Sequence, residues 1–282
     1  MMMTSDIPDG VRIFKDLRYG GDHERQALDL YVPAGSGPWP LIVWVHGGAF
    51  RLGSKDGPLP AEYLEQGFAL ASLNYRLSQH AIWPAQIVDC KSAVRWLRAH
   101  AVKYGLDSTR FVAWGTSAGG HLSAMLGVSG HMTAFDQGAH LEHSSRMQAV
   151  VDWFGPTDFL QMDAHRLPDG QEHDPADSPE SELVGGAIQE HPDLVAAANP
   201  ITYVTGDAPP FLIIHGDRDP LVPHHQSVLL EGALNVAGVP VQFYTVPGGG
   251  HGGFTDPQVF SLTHVFLTAF REGTAPIGVS VH

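Results

Sequence analysis

The sequence has little of several features that define whole classes of protein. It holds one cysteine, Cys90, which excludes a disulfide framework. Its 16 basic residues against 30 acidic ones give a net charge of −14, a poor match for polyanions such as nucleic acid or anionic membranes. No apolar run approaches the roughly 18 residues that a membrane-spanning helix needs. Met1 to Asp6 lack the basic and apolar stretches of a secretion signal, so we expect a cytoplasmic protein.

What the sequence does contain is enough apolar material for a large core. Of its 282 residues, 43% are hydrophobic, which excludes a disordered chain, and we expect a single domain over residues 1–282. Residues 131–193 carry thirteen acidic residues against two basic ones, and the stretch from His165 to Pro179 is rich in residues that break helices and strands. Because this region is too short and polar for a core of its own, the sequence predicts a cap-like insertion over residues 156–197.

Around this insertion, apolar stretches typical of strands alternate with helical ones. The strands are predicted over residues 11–18, 27–32, 41–45, 68–74, 110–114, 149–154, 211–214 and 241–246. The helices are predicted over 84–104, from the turn at 115–120 to about 128, over 224–237 and over 257–270. Such alternation favours an α/β fold with a mostly parallel central sheet and helices on both faces. Active sites in such sheets gather at the carboxyl ends of the strands.

Two glycine-rich motifs follow directly on predicted strands. Residues 115–119 read G-x-S-x-G between a strand and a helix, and Ser117 would lie on a strained turn at the helix N-terminus, which favours developing negative charge. His46-Gly47-Gly48-Ala49 follows the uninterrupted apolar run Leu41–Val45. Its backbone N–H groups could approach an oxyanion without side-chain obstruction, although a tight turn leaving the sheet explains it equally well.

Two further motifs offer an acid and a base. His215 to Pro223 contains two aspartates, of which Asp219 is the preferred partner for a histidine base. Asp217 is expected to tighten the turn, and His215 to be a structural histidine at a strand end. Residues 248–253 present His251 among five glycines. The chain order serine, aspartate, histidine is the one expected of α/β-hydrolases.

The four motifs together resemble those of α/β-hydrolase-fold carboxylesterases. Residues 73–77 and 83–98 are further similar to the bacterial esterase group called bifunctional feruloyl and acetyl esterase-like, which is related to hormone-sensitive-lipase-like esterases. Two positions depart from the pattern of that superfamily. Ala49 stands where relatives often show a third glycine, and Thr116 stands where they often carry His, Asp or Glu.

The resemblance implies a role for each motif residue that matches. Ser117 would be the nucleophile, Asp219 the acid and His251 the base. The implied oxyanion donors are the backbone N–H groups of Gly48, Ala49 and Ala118. The side chains expected to line a substrate pocket, with core packing as an equal alternative for the aromatic ones, are Phe50, Trp83, Trp153, Phe154 and Leu221.

The expected function is therefore that of a serine hydrolase that cleaves short-chain acyl or aryl esters through an acyl-enzyme, with no metal or organic cofactor. The resemblance suggests acetyl or hydroxycinnamoyl esters of plant polysaccharides, and relatives are commonly homodimers. An arylformamidase-type amidase would use the same residues. A non-catalytic binding protein on the same fold is a third alternative, although such proteins commonly lose the serine or the histidine, and both Ser117 and His251 are present here.

Overall fold

A computed structural model describes residues 6–274 and places eight strands in one sheet. The strands are β1 (Arg12–Arg18), β2 (Ala27–Val32), β3 (Trp39–Val45), β4 (Ala69–Leu73), β5 (Leu106–Thr116), β6 (Ala149–Trp153), β7 (Phe211–Gly216) and β8 (Val241–Val246). Their order across the sheet is β1-β2-β4-β3-β5-β6-β7-β8. Strand β2 runs antiparallel to both of its neighbours, and every other pair is parallel. The predicted mostly parallel α/β sheet is confirmed.

Helices connect most of these strands. They are α1 (Glu62–Glu65), α2 (Ala85–Ala99), α3 (Ala101–Tyr104), α4 (Ala118–Val128), α5 (Met162–His165), α6 (Pro179–Val184), α7 (Pro192–Ala198), α8 (His225–Val236) and α9 (Pro257–Glu272). Single 3₁₀ turns cover Thr133–Phe135, Phe159–Gln161, Ile188–Glu190 and Pro200–Tyr203. The one long helix predicted over 84–104 is two helices. The break falls at His100, whose ring Nδ1 and backbone N–H both approach the Trp96 carbonyl oxygen, at 2.8 and 3.1 Å.

Side chains alternate between two apolar cores, one on each face of the sheet. In β3, Leu41, Val43 and Val45 point into the larger core, while Ile42 and Trp44 point into the other. The larger core is covered by α2, α4 and α8, and the smaller one by α1 and α9. This two-sided burial explains why the central strands read as continuous apolar runs.

The parallel strands all end at one edge of the sheet, which brings distant parts of the sequence together. The loops after β3, β5, β6, β7 and β8 meet there. Residues 156–197, called the cap segment below, contain α5 and α6 and most of α7, and they contribute to the wall of the cavity at this edge. None of the helices within residues 6–274 is long and apolar enough to cross a membrane.

The extent of the domain and the role of the cap segment stay predictions. Residues 1–5 and 275–282, which the prediction of one domain over 1–282 includes, lie outside the described residues. The same holds for most of the N-terminal segment in which no secretion signal was found.

Candidate active site

Ser117 occupies a sharp turn between β5 and α4. Its backbone angles are φ 55° and ψ −125°, a conformation that a residue with a Cβ rarely adopts. Its N–H donates to the Trp153 carbonyl at 2.9 Å and its carbonyl accepts from the His121 N–H at 3.0 Å, so bonds on both sides hold the turn. Strain of this kind persists only where the surrounding structure enforces it. The turn puts the Ser117 side chain in the wall of a cavity at the sheet edge.

The glycines on either side of Ser117 are required by close backbone contacts. A Cβ on Gly115 would lie 2.1 Å from the Gly119 carbonyl oxygen. A Cβ on Gly119 would lie 2.1 Å from the Val45 carbonyl oxygen at the end of β3. The G-x-S-x-G pattern therefore reflects how tightly the first turn of α4 packs against β5 and β3.

The loop after β3 lines the same cavity with residues 47–50. Gly48 has φ 116°, and a Cβ there would lie 2.5 Å from the Leu52 carbonyl oxygen. Ala49 also has a left-handed φ, of 54°, a position that a third glycine would occupy with less strain. Within residues 6–274, no group accepts a hydrogen bond from the backbone N–H of Gly48, Ala49 or Ala118. Donors of this kind, at a helix N-terminus and in a glycine-rich turn, favour a negative charge.

A group of buried and partly buried polar side chains holds that loop in place, and sequence reasoning assigned no role to them. The His46 ring stacks on Tyr75 with centroids 4.5 Å apart, and the Tyr75 hydroxyl donates to the His46 carbonyl at 3.0 Å. Arg25 Nη2 lies 3.2 Å from His46 Nε2 and donates to the Gly53 carbonyl at 2.9 Å. Burial lowers the pKa of His46 to about 4, so the ring is neutral and Nε2 can accept from Arg25.

Asp219 lies in the turn after β7, and four donors surround its carboxylate. Oδ1 accepts from the backbone N–H groups of Leu221 and Val222 at 2.8 and 2.9 Å. Oδ2 is 2.7 Å from His251 Nδ1 and 3.1 Å from His215 Nε2. Burial alone would raise the pKa of Asp219, but the hydrogen bonds from His215 and His251 hold it well below its usual value. The carboxylate is therefore ionised at neutral pH.

His251 stands between Asp219 and the cavity. Since its Nδ1 faces the ionised Asp219, Nδ1 carries the hydrogen and Nε2 is left as a base. The ring lies against Phe154, with centroids 4.7 Å apart, and both residues line the cavity together with Ser117. His215 is fully buried and bonds Ser227 Oγ at 2.7 Å on its other nitrogen, as expected of a structural histidine.

Asp217 differs from its expected role. Its Oδ1 accepts from the backbone N–H of Gly248 at 2.7 Å, so it joins the turn after β7 to the loop that carries His251 and does not tighten its own turn. The Asp217 side chain thus links the two loops that carry Asp219 and His251.

The cavity has a volume of about 490 Å³ and a mostly apolar wall. Phe50, Phe154 and Leu221 line it, as expected. Trp83 and Trp153 do not, which corrects the expectation for those two side chains. Trp83 packs on His121 and Phe135 in the larger core and donates to the Ala197 carbonyl at 2.8 Å. Trp153 points to the opposite face of the sheet, among Trp114 and Phe254.

Polar side chains of the cap segment were missed by sequence reasoning. Gln171, His173 and Glu180 all line the cavity. His173 and Glu180 are 1% and 4% exposed, and His173 Nδ1 lies 2.8 Å from Glu180 Oε2. No local sequence pattern indicates such a pair, because its two members are seven residues apart in a segment of irregular structure.

Comparison with known proteins decides the family. The profile of the BD-FAE family matches residues 28–234. The chain belongs to the BD-FAE family. This confirms the resemblance drawn from the motifs, and the fold is that of the α/β-hydrolases.

Relatives and structural neighbours of the chain carry esterase names. The chain is 33% identical to Esterase LipC of Mycobacterium tuberculosis over 240 residues, covering 82% of this chain and 58% of that protein. It is 31% identical to Esterase LipQ of the same organism, covering 88% of this chain and 56% of that protein. The chain thus spans a little more than half the length of the curated relatives it matches. Among solved structures, a truncated carbohydrate esterase from gut microbiota is 36% identical, with a TM-score of 0.84 over 94% of this chain and 99% of that one.

A second structural neighbour is considerably longer than the region that matches this chain. A bifunctional GH43-CE protein of Bacteroides eggerthii is 34% identical, with a TM-score of 0.80. The match covers 91% of this BD-FAE chain and 38% of that protein.

Proposed function

We propose that this chain is a serine carboxylesterase whose nucleophile is Ser117, with His251 as base and Asp219 as acid. The observation that carries the proposal is the 2.7 Å contact between Asp219 Oδ2 and His251 Nδ1, in a cavity that Ser117 also lines. The strained turn at Ser117 supports it, because strain of this kind is concentrated at functional sites.

The reaction begins when Ser117 Oγ attacks the ester carbonyl carbon. His251 Nε2 takes the hydroxyl proton, and the ionised Asp219 stabilises the resulting imidazolium through Nδ1. The negative charge that develops on the carbonyl oxygen is met by the backbone N–H groups of Gly48, Ala49 and Ala118, which form the oxyanion hole. Removing one such donor typically costs roughly 2.7–4 kcal/mol of transition-state stabilisation.

The reaction ends with three proton transfers through the same imidazole. His251 gives its proton to the alcohol oxygen as the C–O bond breaks, which leaves an acyl group on Ser117. His251 then takes a proton from water, whose oxygen attacks the acyl carbon, and the acid leaves as Ser117 recovers its proton. All of these steps use side chains and backbone groups of the protein, and none requires a metal or an organic cofactor.

The substrates proposed are short acyl esters of carbohydrates. The name of the gut carbohydrate esterase supports this class, because that protein matches nearly the whole of both chains at 36% identity. The cavity volume of about 490 Å³ is in the range of small-molecule sites. A cytoplasmic location, homodimer formation and the absence of nucleic-acid or membrane partners remain predictions from the sequence.

The test is hydrolysis of p-nitrophenyl acetate by the wild-type chain and by Ser117→Ala. We expect the variant to keep its far-ultraviolet circular dichroism and to lose roughly 10⁴-fold or more of kcat. Full activity in Ser117→Ala would contradict the proposal. Faster turnover of an N-formyl arylamine than of the ester would show an amidase of the arylformamidase type instead.

A further inference from the structure

The cap segment brings a buried ion pair to the cavity wall. His173 and Glu180 are each at least nine-tenths buried, and both line the cavity that Ser117 lines. Ser178 Oγ accepts from the Ser181 N–H at 3.1 Å, which fixes the first turn of α6, where Glu180 lies. The His173 N–H donates to Asp163 Oδ1 at 2.8 Å, which fixes the other side of the pair.

The two contacts of the His173 ring determine its charge. Nδ1 lies 2.8 Å from Glu180 Oε2, and Nε2 lies 3.0 Å from the Leu221 carbonyl oxygen. A carboxylate and a carbonyl can only accept, so both ring nitrogens carry a hydrogen and the ring is an imidazolium. Burial opposes this charge, but the hydrogen bond and the negative charge of Glu180 together raise the pKa of His173 above its ordinary value.

Glu180 has one oxygen that the protein leaves without a partner. Oε2 is taken by His173, whereas no group within residues 6–274 donates a hydrogen bond to Oε1. Glu180 lines the cavity, where a ligand or water can donate a hydrogen bond to this oxygen. Most of the surrounding wall is apolar and can supply none, as with Phe50, Phe154 and Leu221.

We propose that Oε1 of Glu180 accepts a hydrogen bond from a hydroxyl of the substrate, which makes Glu180 a specificity-determining residue for esters with hydroxyl groups near the scissile bond. His173 is then a positioning residue that keeps the carboxylate turned toward the cavity. The inference rests on the proposed function, since it concerns the same cavity. The imidazolium neutralises the carboxylate, so the pair favours a neutral hydroxyl donor over a cation, and it disfavours a second carboxylate.

The experiment compares two acetate esters of similar size, a monoacetylated methyl pyranoside with free hydroxyls and cyclohexyl acetate without them. We expect kcat/KM of the wild-type chain to favour the pyranoside by about 10- to 100-fold, the range that a hydrogen bond to a charged group supplies. Glu180→Gln keeps the shape of the side chain but can turn an amide N–H toward the cavity. This variant should reduce the preference to within about threefold, chiefly through KM of the pyranoside.

The matched control is Glu182→Gln in the same helix. Glu182 pairs with Arg51 at 2.7 Å outside the cavity wall, so its substitution should leave the preference unchanged. An equal loss on both esters in Glu180→Gln, or an unchanged preference, would overturn the inference. Hydrolysis of neither ester by the wild-type chain would instead contradict the proposed function.

A measurement on the wild-type chain alone covers the case in which Glu180→Gln does not fold. Methyl pyranoside and cyclohexanol are compared as inhibitors of p-nitrophenyl acetate hydrolysis. The inference predicts inhibition by the pyranoside at about tenfold lower concentration or less, for the same hydrogen-bond reason. Equal or stronger inhibition by cyclohexanol would overturn it.

Discussion

His215 and His251 contact the same carboxylate oxygen, Oδ2 of Asp219, at 3.1 and 2.7 Å. The two histidines differ in burial, since His215 is fully buried while the His251 side chain is 17% exposed and reaches the cavity. His215 therefore contacts the carboxylate on its buried side, while His251 contacts it on the side of the cavity. With Oδ1 held by two backbone N–H groups, Asp219 has one orientation available.

This arrangement predicts the effect of Asp219→Asn. An amide that turns its N–H toward His251 Nδ1 favours the wrong tautomer of the base, and kcat should fall by roughly 10⁴-fold. Asp217→Asn is the matched control, because the amide oxygen can still accept from the Gly248 N–H, and we expect it to lose less than about tenfold. Steady-state kinetics on p-nitrophenyl acetate measures both. A larger loss in Asp217→Asn would mean that the wrong aspartate has been assigned as the acid.

The contact between α4 and the end of β3 predicts a stability difference between two glycines. Gly119→Ala places a Cβ 2.1 Å from the Val45 carbonyl oxygen and should destabilise the fold by about 3 kcal/mol, at the upper end of overpacking. Gly232→Ala, in α8, meets nothing within 4 Å and should stabilise by roughly 0.4–1 kcal/mol. Urea unfolding midpoints measure both changes. Similar midpoints for the two variants would refute the packing account of the motif.

Arg25 does not line the cavity, but its hydrogen bonds predict that replacing it lowers the catalytic rate. Arg25→Ala removes the contacts to His46 and Gly53 that hold the loop carrying Gly48 and Ala49. A small displacement of the oxyanion donors should lower kcat by roughly 10- to 100-fold with a smaller change in KM. Arg12→Ala, at an exposed position on β1, is the control and should leave kcat as it is. An effect confined to KM would show that the loop binds substrate without stabilising the transition state.

The His173–Glu180 pair predicts a pH-dependent contribution to stability. Because the pKa of His173 is raised in the folded chain, the stabilisation is complete below the unfolded value of about 6.5 and is lost as pH rises through the folded value. The free energy of unfolding lost in His173→Gln should therefore shrink as pH rises above about 6.5. His131→Gln, at an exposed position, is the control for a histidine replacement. A difference that grows with pH would contradict the charged assignment.

The sequence predicted those parts of the fold that depend on local patterns. Strands such as β2 and β8 match the predicted ranges, because each is a short apolar run between turn signals. Strand β5 begins at Leu106, four residues earlier than predicted, since Asp107, Ser108 and Thr109 look like loop residues. The motif residues could be found because close packing and left-handed backbone angles demand glycine beside them.

The parts of the site that the sequence did not predict depend on contacts between residues that are far apart in the chain. Nothing local separates Phe154, which lines the cavity, from its neighbour Trp153, which does not, although both belong to the smaller apolar core. Phe154 follows the last residue of β6 and has a φ of 45°, so its side chain leaves the alternation of the strand and reaches the cavity. The link from Glu180 through His173 to the Leu221 carbonyl likewise exists only once the cap segment folds over the turn after β7.

The central claim is that Ser117 is a nucleophile activated by His251. Its most direct test is reaction with a fluorophosphonate probe followed by mass spectrometry of the digested protein. The account predicts one label per chain, located on Ser117, with no label in Ser117→Ala and much slower labelling in His251→Ala. Labelling at another residue, or labelling of Ser117→Ala at the wild-type rate, would contradict it.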